Sequence, residues 1–322
     1  MNASQYLDAE EFVRKIRAIL GNFQGYRALH ADDRLFHGSF RANEAARQYT
    51  RAVHLQGDEI PVTIRISKGG GDPFAHFSNT VGLATRFYLP NGRFTNLVML
   101  SQKLFIVNSL RQLHDILDAG TPLSPGGPMN REGLKSFVAC NPNTAAVLEL
   151  RAKTPPPAGF AWCAFHAVHA FRWIAADGNE TVVRCHWEPV AGTRSGDAKE
   201  LSAANTEVLF DEFAQQVAKS PVEWDLVIEF AEQGDPINDA TALWPEGRRR
   251  EVVGRMRVVA PTTEAEIGDP VMIHDPTVLT DGIEATDDPI LQIRRGIYEV
   301  SAADRSGGWK SCPFAAIAGG VL

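Results

Sequence analysis

Cysteine is scarce in this chain. Cys140, Cys163, Cys185 and Cys312 stand far apart with no C-x-x-C pair, which argues against a disulfide framework or a zinc ribbon and fits a reducing compartment. Positive charge is not in excess either. With 32 Lys and Arg against 39 Asp and Glu, the formal net charge is −7, so nothing in the balance favours nucleic acid or an anionic membrane as partner. No apolar run approaches the roughly 20 residues that a bilayer span requires. Nor does the N-terminus read as a signal peptide. Asp8 and Glu11 have the spacing of a capping box, and Phe12, Ile16, Ile19 and Leu20 form one stripe, which predicts an amphipathic helix over 4–21. The expected location is the cytoplasm. Internal repeats and low-complexity segments are missing. The glycine-rich "SKGGGDP" at 67–73 lacks the lysine-hydroxyl ending of a phosphate loop and reads as an ordinary loop.

What is present is a chain of 322 residues, 44% hydrophobic, long enough for one large core or two ordinary ones. Period and breakers predict strands at "RALHADDRLFHGSF", "IPVTIRIS", "GLATRFYL" and "RFTNLVML", the last two joined by Pro90-Asn91-Gly92. Helices follow at "KLFIVNSLRQLHDILDAG" and at "NREGLKSFVACNPNTAAVLELRAK", the latter interrupted by Pro142, and "PPPAGF" is a linker. A second block holds strands "CAFHAVHAFRWIAA" and "TVVRCHWEPV" hinged at Asp177-Gly178-Asn179, a helix in "AANTEVLFDEFAQQVAKS", and strands "EWDLVIEFAEQ" and "EVVGRMRVVAP". Eight strands in two hairpin-linked halves, with no strand-helix-strand rhythm, predict an α+β architecture: an antiparallel sheet or barrel with helices outside it.

The segment "DDPILQIRRGIYEVSAADR", 287–305, begins with acidic cap residues before Pro289, a strong helix start. At 100° per residue, Ile290, Leu291, Arg294, Ile297, Tyr298, Ser301 and Arg305 share one face. The cations therefore point where the apolar residues point, and a buried cation needs an anion nearby. Two readings are open. Long arginines can snorkel past a tyrosine on an interfacial helix. Alternatively, Arg294 one turn below Tyr298 stabilises a phenolate, an anionic metal ligand that tyrosine at its ordinary pKa of about 10 cannot be unaided.

Arginine four before a tyrosine and arginine seven after it resembles the proximal segment of haem catalases, whose phenolate ligates iron. "YRALHADDRLFHGSF" is similar to the strand bearing that family's distal histidine, which makes the matching residue His30. "VTIRIS", "GLATRFYLPNG" and "HAFRWIAADGNETVVRCHW" resemble further family strands in the same order, with Arg65, Ser67, His169 and Phe171 in register. The resemblance begins near residue 27 and its tyrosine lies close to the C-terminus, as in the small, minimal-core catalase-related peroxidases. It implies a catalase-like eight-stranded barrel in a single haem domain over 1–322, with barrel and helices over 25–280 and a proximal haem helix over 287–305.

Carried over position by position, the resemblance implies Tyr298 as axial haem iron ligand, Arg294 as its partner, and Arg27, Arg65 and Arg305 as cations for the propionates of haem b. Phe105 falls where the family stacks a phenylalanine on the porphyrin. His30, with Ser67, is the catalytic pair. On a regular strand Arg27 and His30 would not share a face, so a bend between them is required. The implied activity is reduction of hydrogen peroxide or an organic hydroperoxide with oxidation of a small organic electron donor, in a monomer or a homo-oligomer. Weak catalase activity belongs to the same expectation. The chain departs from the family at three positions. Met99, beside Leu100, stands where an asparagine helps position peroxide, with Gln102 and Asn96 as substitutes if the register slips; Asn79 replaces an expected acid; and Leu29 precedes His30 where catalase-like allene oxide synthases keep threonine. That rearranging activity and a non-catalytic haem carrier are the alternatives, beside a haem-free barrel for an apolar ligand. Among the other histidines, His37 reads as a surface or wall residue, His166 and His169 face opposite ways, and His54, His76, His114, His186 and His274 read as ordinary satisfied side chains.

Overall fold

The structure is a computed structural model that describes residues 8–75, 79–203 and 206–306. Its first element is helix α1, Ala9–Leu20, capped by Asp8, whose carboxylate accepts from the Glu11 N–H at 2.7 Å. Residues 4–7 of the predicted helix, like His76 and Cys312, lie outside the described residues. Strands β1 (Asp33–Ala42), β2 (Glu59–Lys68), β3 (Val81–Tyr88) and β4 (Phe94–Leu100) follow. Helices α2 (Leu110–Gly120), α3 (Arg131–Cys140) and α4 (Pro142–Lys153) come next. The second half supplies β5 (Phe165–His166), β6 (Phe171–Ile174), β7 (Glu180–Pro189), α5 (Ala198–Ala203), α6 (Thr206–Lys219), β8 (Val222–Phe230) and β9 (Arg250–Thr262). Short α7 (Glu264–Ile267), β10 (Ile283–Ala285) and long α8 (Pro289–Arg305) complete it.

Every strand pairing is antiparallel. The order β1-β2-β3-β4-β5-β7-β8-β9 returns to β1, so eight strands close into a barrel, and β6 and β10 continue outward from the edge of β7. Closure removes the edges that an open sheet would expose. Alternation along β2 sets the two sides. Ile60, Val62, Ile64 and Ile66 fill the interior with Phe36, Phe40, Leu83, Phe87, Trp187 and Trp224, while Arg65 and Ser67 point outward. Outside the barrel, α1, α2, α3 and α8 form a second apolar cluster around Phe12, Val13, Leu113, Phe137 and Ile290.

The sequence expectation differs from this in four places. The first strand begins only at Asp33, because the chain turns at His30, which has φ 53°. Segment 163–176 is not one strand but two short ones, since Ala167–Ala170 leaves the barrel wall to reach α8, and β10 adds a tenth strand. The helix predicted from Lys103 starts at Leu110 with Ser109 as its cap. Before it the backbone bonds outward, with the Phe105 N–H donating to the Ala240 carbonyl at 2.9 Å and the Ile106 carbonyl accepting from Thr144. Lys68 belongs to the end of β2, not to the glycine loop, and its buried ammonium faces Asp32 at 3.6 Å. No helix among the described residues is long and apolar enough to cross a membrane.

Candidate functional site

Around Arg65, Ser67, Ala84 and Val98, the outward faces of β2, β3 and β4 are covered by other parts of the chain. Together with α1, α8 and the chain at 27–30 and 273–274, they enclose about 1160 Å³ of unfilled space, part of it open to the outside. Cross-strand register builds the wall: Arg65 stands opposite Ala84 and Ala84 opposite Val98, while Ser67 stands opposite Gly82 and Gly82 opposite Leu100. His30 lies over this second row, its Nδ1 3.0 Å from the Ser67 hydroxyl. Gly82 is what admits the ring. A Cβ there would lie 2.8 Å from Ser67 Oγ, closer than real Cβ atoms come, and 3.1 Å from His30 Nδ1, where the ring would have to give by a few tenths of an ångström. Left-handed backbone at a histidine is uncommon and costs on the order of 1 kcal/mol or more. This turn is the bend that the face argument required. Burial, and then the charges of Arg65 and Arg294, push the His30 imidazole down to about 3 against the opposing pull of Asp33.

At one end of the cleft three arginines converge. Arg27 donates to Asp33 at 2.5 Å and to the Met272 carbonyl at 2.9 Å, and Arg65 donates to the same Asp33 oxygen at 2.9 Å. Arg305, from the last turn of α8, reaches the Met272 carbonyl at 3.4 Å and approaches Glu264 at 3.9 Å. Burial raises the Asp33 carboxyl, but Arg27 and Arg65 outweigh it and hold it below its ordinary value. Burial, then Arg27, lowers Arg305 to about 9 despite Glu264. Among the described residues, the Nε atoms of Arg65 and Arg305 and both ring nitrogens of His274 are buried without a protein partner. Such orphans cost about 1–3 kcal/mol each. They fit a ligand that brings its own acceptors.

Helix α8 carries the opposite wall. Asp288 accepts from the Ile290 N–H at 2.8 Å and the Leu291 N–H at 3.4 Å, fixing the first turn, and its other oxygen lies 2.7 Å from His169 Nδ1. Two turns on, Arg294 donates to the Tyr298 hydroxyl at 2.6 Å. Burial lowers His169, with Asp288 opposing and Arg294 adding to the fall.

All eight residues predicted from the sequence, His30, Ser67, Arg27, Arg65, Phe105, Arg294, Arg305 and Tyr298, line this one cleft. Neither substitute for the missing amide does. Met99 packs into the barrel core opposite Leu83 and borders the cleft beside Val98 and Leu100, while Asn96 donates to the Asp275 carbonyl and Gln102 to the Asn79 carbonyl. His37 is exposed. His166 pairs with His186, Nδ1 to Nδ1 at 2.9 Å, and His169 with Asp288, so the two are indeed apart. Among the described residues, His54 Nδ1 and both His274 nitrogens lack partners, which corrects the reading of these two as satisfied. Sequence reasoning also missed Asp33 and Gly82. The "DD" after His30 hinted at an anion among the arginines, whereas nothing local marks Gly82.

The apolar flanks, the convergent cations with orphaned donors and the arginine-supported phenol suit a flat apolar prosthetic group with carboxylates and a metal, the chemistry of haem. Comparison with known proteins agrees. Residues 23–312 match the family model described as Catalase. The chain is 32% identical over 304 residues to a "Catalase-related peroxidase" of Mycolicibacterium paratuberculosis, covering 94% of this chain and 96% of that one. A "Catalase-related peroxidase" of Synechococcus elongatus is 31% identical over 301 residues, covering 93% and 89%. "Catalase-2" of Bacillus subtilis is 26% identical, and there the match spans 88% of this chain but 44% of the longer protein. Among solved structures, one titled "Structure of a bacterial catalase" superposes with a TM-score of 0.75 at 20% identity, over 88% of this chain and 58% of that one. A fungal catalase gives 0.77 at 18%, over 89% and 60%. At these identities the superpositions speak to the fold.

Proposed function

The chain belongs to the catalase family, and from that premise we propose that it is a haem-dependent peroxidase, reducing hydrogen peroxide or an organic hydroperoxide while oxidising a small organic donor. The observation that carries this reading is that the His30–Ser67 pair and the Arg294–Tyr298 pair line one cleft whose cations lack a full set of anions. We read the chain as one haem domain, because Phe12 of α1, the barrel and α8 all border that cleft.

In this reading Tyr298 would hold the iron of haem b, with Arg294 donating to its oxygen. Arg27, Arg65 and Arg305 hold the propionates, planar forks suited to carboxylates, and Phe105 packs on the porphyrin. Haem supplies an open iron position and the electrons that cleave the O–O bond. The protein supplies the proton traffic. Pushed down to about 3, the His30 imidazole is neutral at pH 7. With Nδ1 donating to Ser67, Nε2 is left to accept the hydroperoxide proton and return it to the departing oxygen. No amide stands on the apolar Val98–Leu100 side to orient a second hydroxyl, a donor typically worth a few kcal/mol. Disproportionation of hydrogen peroxide is accordingly the minor activity.

The test begins with purified protein supplied with haem. A Soret band whose charge-transfer features vanish in Tyr298→Phe, and turnover of cumene hydroperoxide with a chromogenic donor reduced at least about 100-fold in His30→Ala, are the expected results. Because the neutral imidazole is the working form, kcat/KM should hold as pH falls through 6.5 and decline only well below 5. An acid limb centred near 6.5, or full turnover in His30→Ala, would remove His30 as the base.

A further inference from the structure

A second cavity adjoins the cleft. It holds about 1170 Å³ of unfilled space, wide open to solvent, and Arg27 and Arg305 line both spaces. One part of its lining comes from 25–32, the start of β1 and 73–74, and it includes two aromatic rings, Tyr26 and Phe74. The Phe74 ring is 76% exposed, with Tyr26 and Phe23 each set edge to face against it at 5.9 Å between centroids. Tyr26 is itself 38% exposed. The other part comes from 262–265 at the end of β9 and the start of α7, where Glu264 lies 3.4 Å from Arg27 and 3.9 Å from Arg305. In all, three arginines and four carboxylates line the cavity, a formal charge of −1, so no strongly charged molecule is selected.

We propose that this vestibule is the site of the reducing substrate, and that the substrate is a small neutral hydroxyaromatic compound seated against Phe74 and Tyr26 with its hydroxyl toward Glu264. The proposal rests on the haem reading above. A peroxidase must bring a donor close to its prosthetic group without letting it compete for the peroxide position. Here the two spaces meet at the arginines that would hold the propionates, so a ring in the vestibule is one side chain away from the prosthetic group yet separate from His30. Exposed aromatic edges and faces are a poor use of surface alone but a good platform for another ring. Each donor gives up one electron and one proton. The electron passes to the peroxide-oxidised prosthetic group, and the proton to the Glu264 carboxylate and on to water, so two donors and one hydroperoxide yield two aryloxyl radicals, one alcohol and one water. Burial raises Glu264 despite the pull of Arg27 and Arg305, which suits a proton acceptor.

The experiment uses the haem-loaded protein and guaiacol as the probe. Without peroxide, titration calorimetry should give a guaiacol Kd that rises about 3- to 10-fold in Phe74→Ala, the size of one aromatic pair, and recovers in Phe74→Tyr. With peroxide, the guaiacol KM should rise in parallel while oxidation of the haem by cumene hydroperoxide keeps its rate. In Glu264→Gln the ratio of the guaiacol rate to that of ferrocyanide, which releases no proton, should fall. Unchanged guaiacol binding in both Phe74→Ala and Tyr26→Ala would overturn the site. A preparation with no Soret absorbance, by contrast, would strike at the haem reading itself.

Discussion

Gly82 shows how much of the cleft depends on one missing methyl group. It sits in the middle of an outward-facing row, Ser67–Gly82–Leu100, where any side chain would press on the hydroxyl and the ring that lie across it. An added Cβ would force the Ser67 hydroxyl aside and press the His30 ring by a few tenths of an ångström, so their 3.0 Å contact would not keep its geometry. Gly82→Ala should therefore leave the barrel folded and haem bound but lower kcat/KM for hydroperoxide at least about tenfold, since misplacement by about 1 Å can cost two orders of magnitude. Stopped-flow rates of haem oxidation would check this. A variant with the wild-type rate would mean that His30 does not need Ser67.

At the level of elements, α8 joins both ends of the chemistry. Asp288 caps its first two free amides with one oxygen and grips His169 with the other, while Arg294 and Tyr298 follow on the face turned to the cleft. Asp288→Ala removes a cap worth about 1 kcal/mol and strands a buried imidazole at about 1–3 kcal/mol. Unfolding in urea should show a loss of about 2–4 kcal/mol, and the haem spectrum should broaden as Tyr298 loses its fixed place; an unchanged midpoint would dismiss the anchor. This helix was legible from the sequence because its signals are local: acidic cap, proline at the first position, one amphipathic face. So was the turn at Pro90-Asn91-Gly92, and so was a closed set of eight strands. The break at Ala167–Ala170 and the three residues of β10 were not, because each is shorter than the period that would reveal it and is fixed by contacts made far along the chain. The extended run before α2 escaped for a like reason: its apolar pattern suits a helix, yet its backbone bonds go to Ala240 and Thr144. Among site residues, Arg294, Tyr298 and Arg305 stood out by helical spacing and His30, Arg27 and Arg65 by resemblance to haem catalases, whereas Asp33, His169 and Gly82 acquire their roles only once β1, β3 and α8 are brought together.

For the whole molecule, the barrel's outer wall, the turn at 27–30 and α8 deliver cations from three remote stretches of chain to one end of the cleft. Asp33 and Glu264 balance Arg27, Arg65 and Arg305 only in part, and Arg305 is lowered to about 9 by burial first and by the neighbouring Arg27 second. A ligand that supplies two carboxylates relieves that repulsion and satisfies the orphaned Nε atoms, so its binding free energy adds to folding stability. At haem concentrations about 1,000 times Kd the gain is about 4 kcal/mol, which should raise the thermal midpoint by on the order of 5 °C or more. The dimethyl ester of haem keeps the iron and the apolar ring but brings no charge. It should bind through Tyr298 and the apolar walls yet yield well under half of that rise, and the shortfall should shrink in Arg305→Met, where one of the incompletely balanced cations is already gone. Equal stabilisation by the acid and the ester, measured by calorimetry on the same preparation, would show that these arginines are held by the protein's own carboxylates and wait for no ligand.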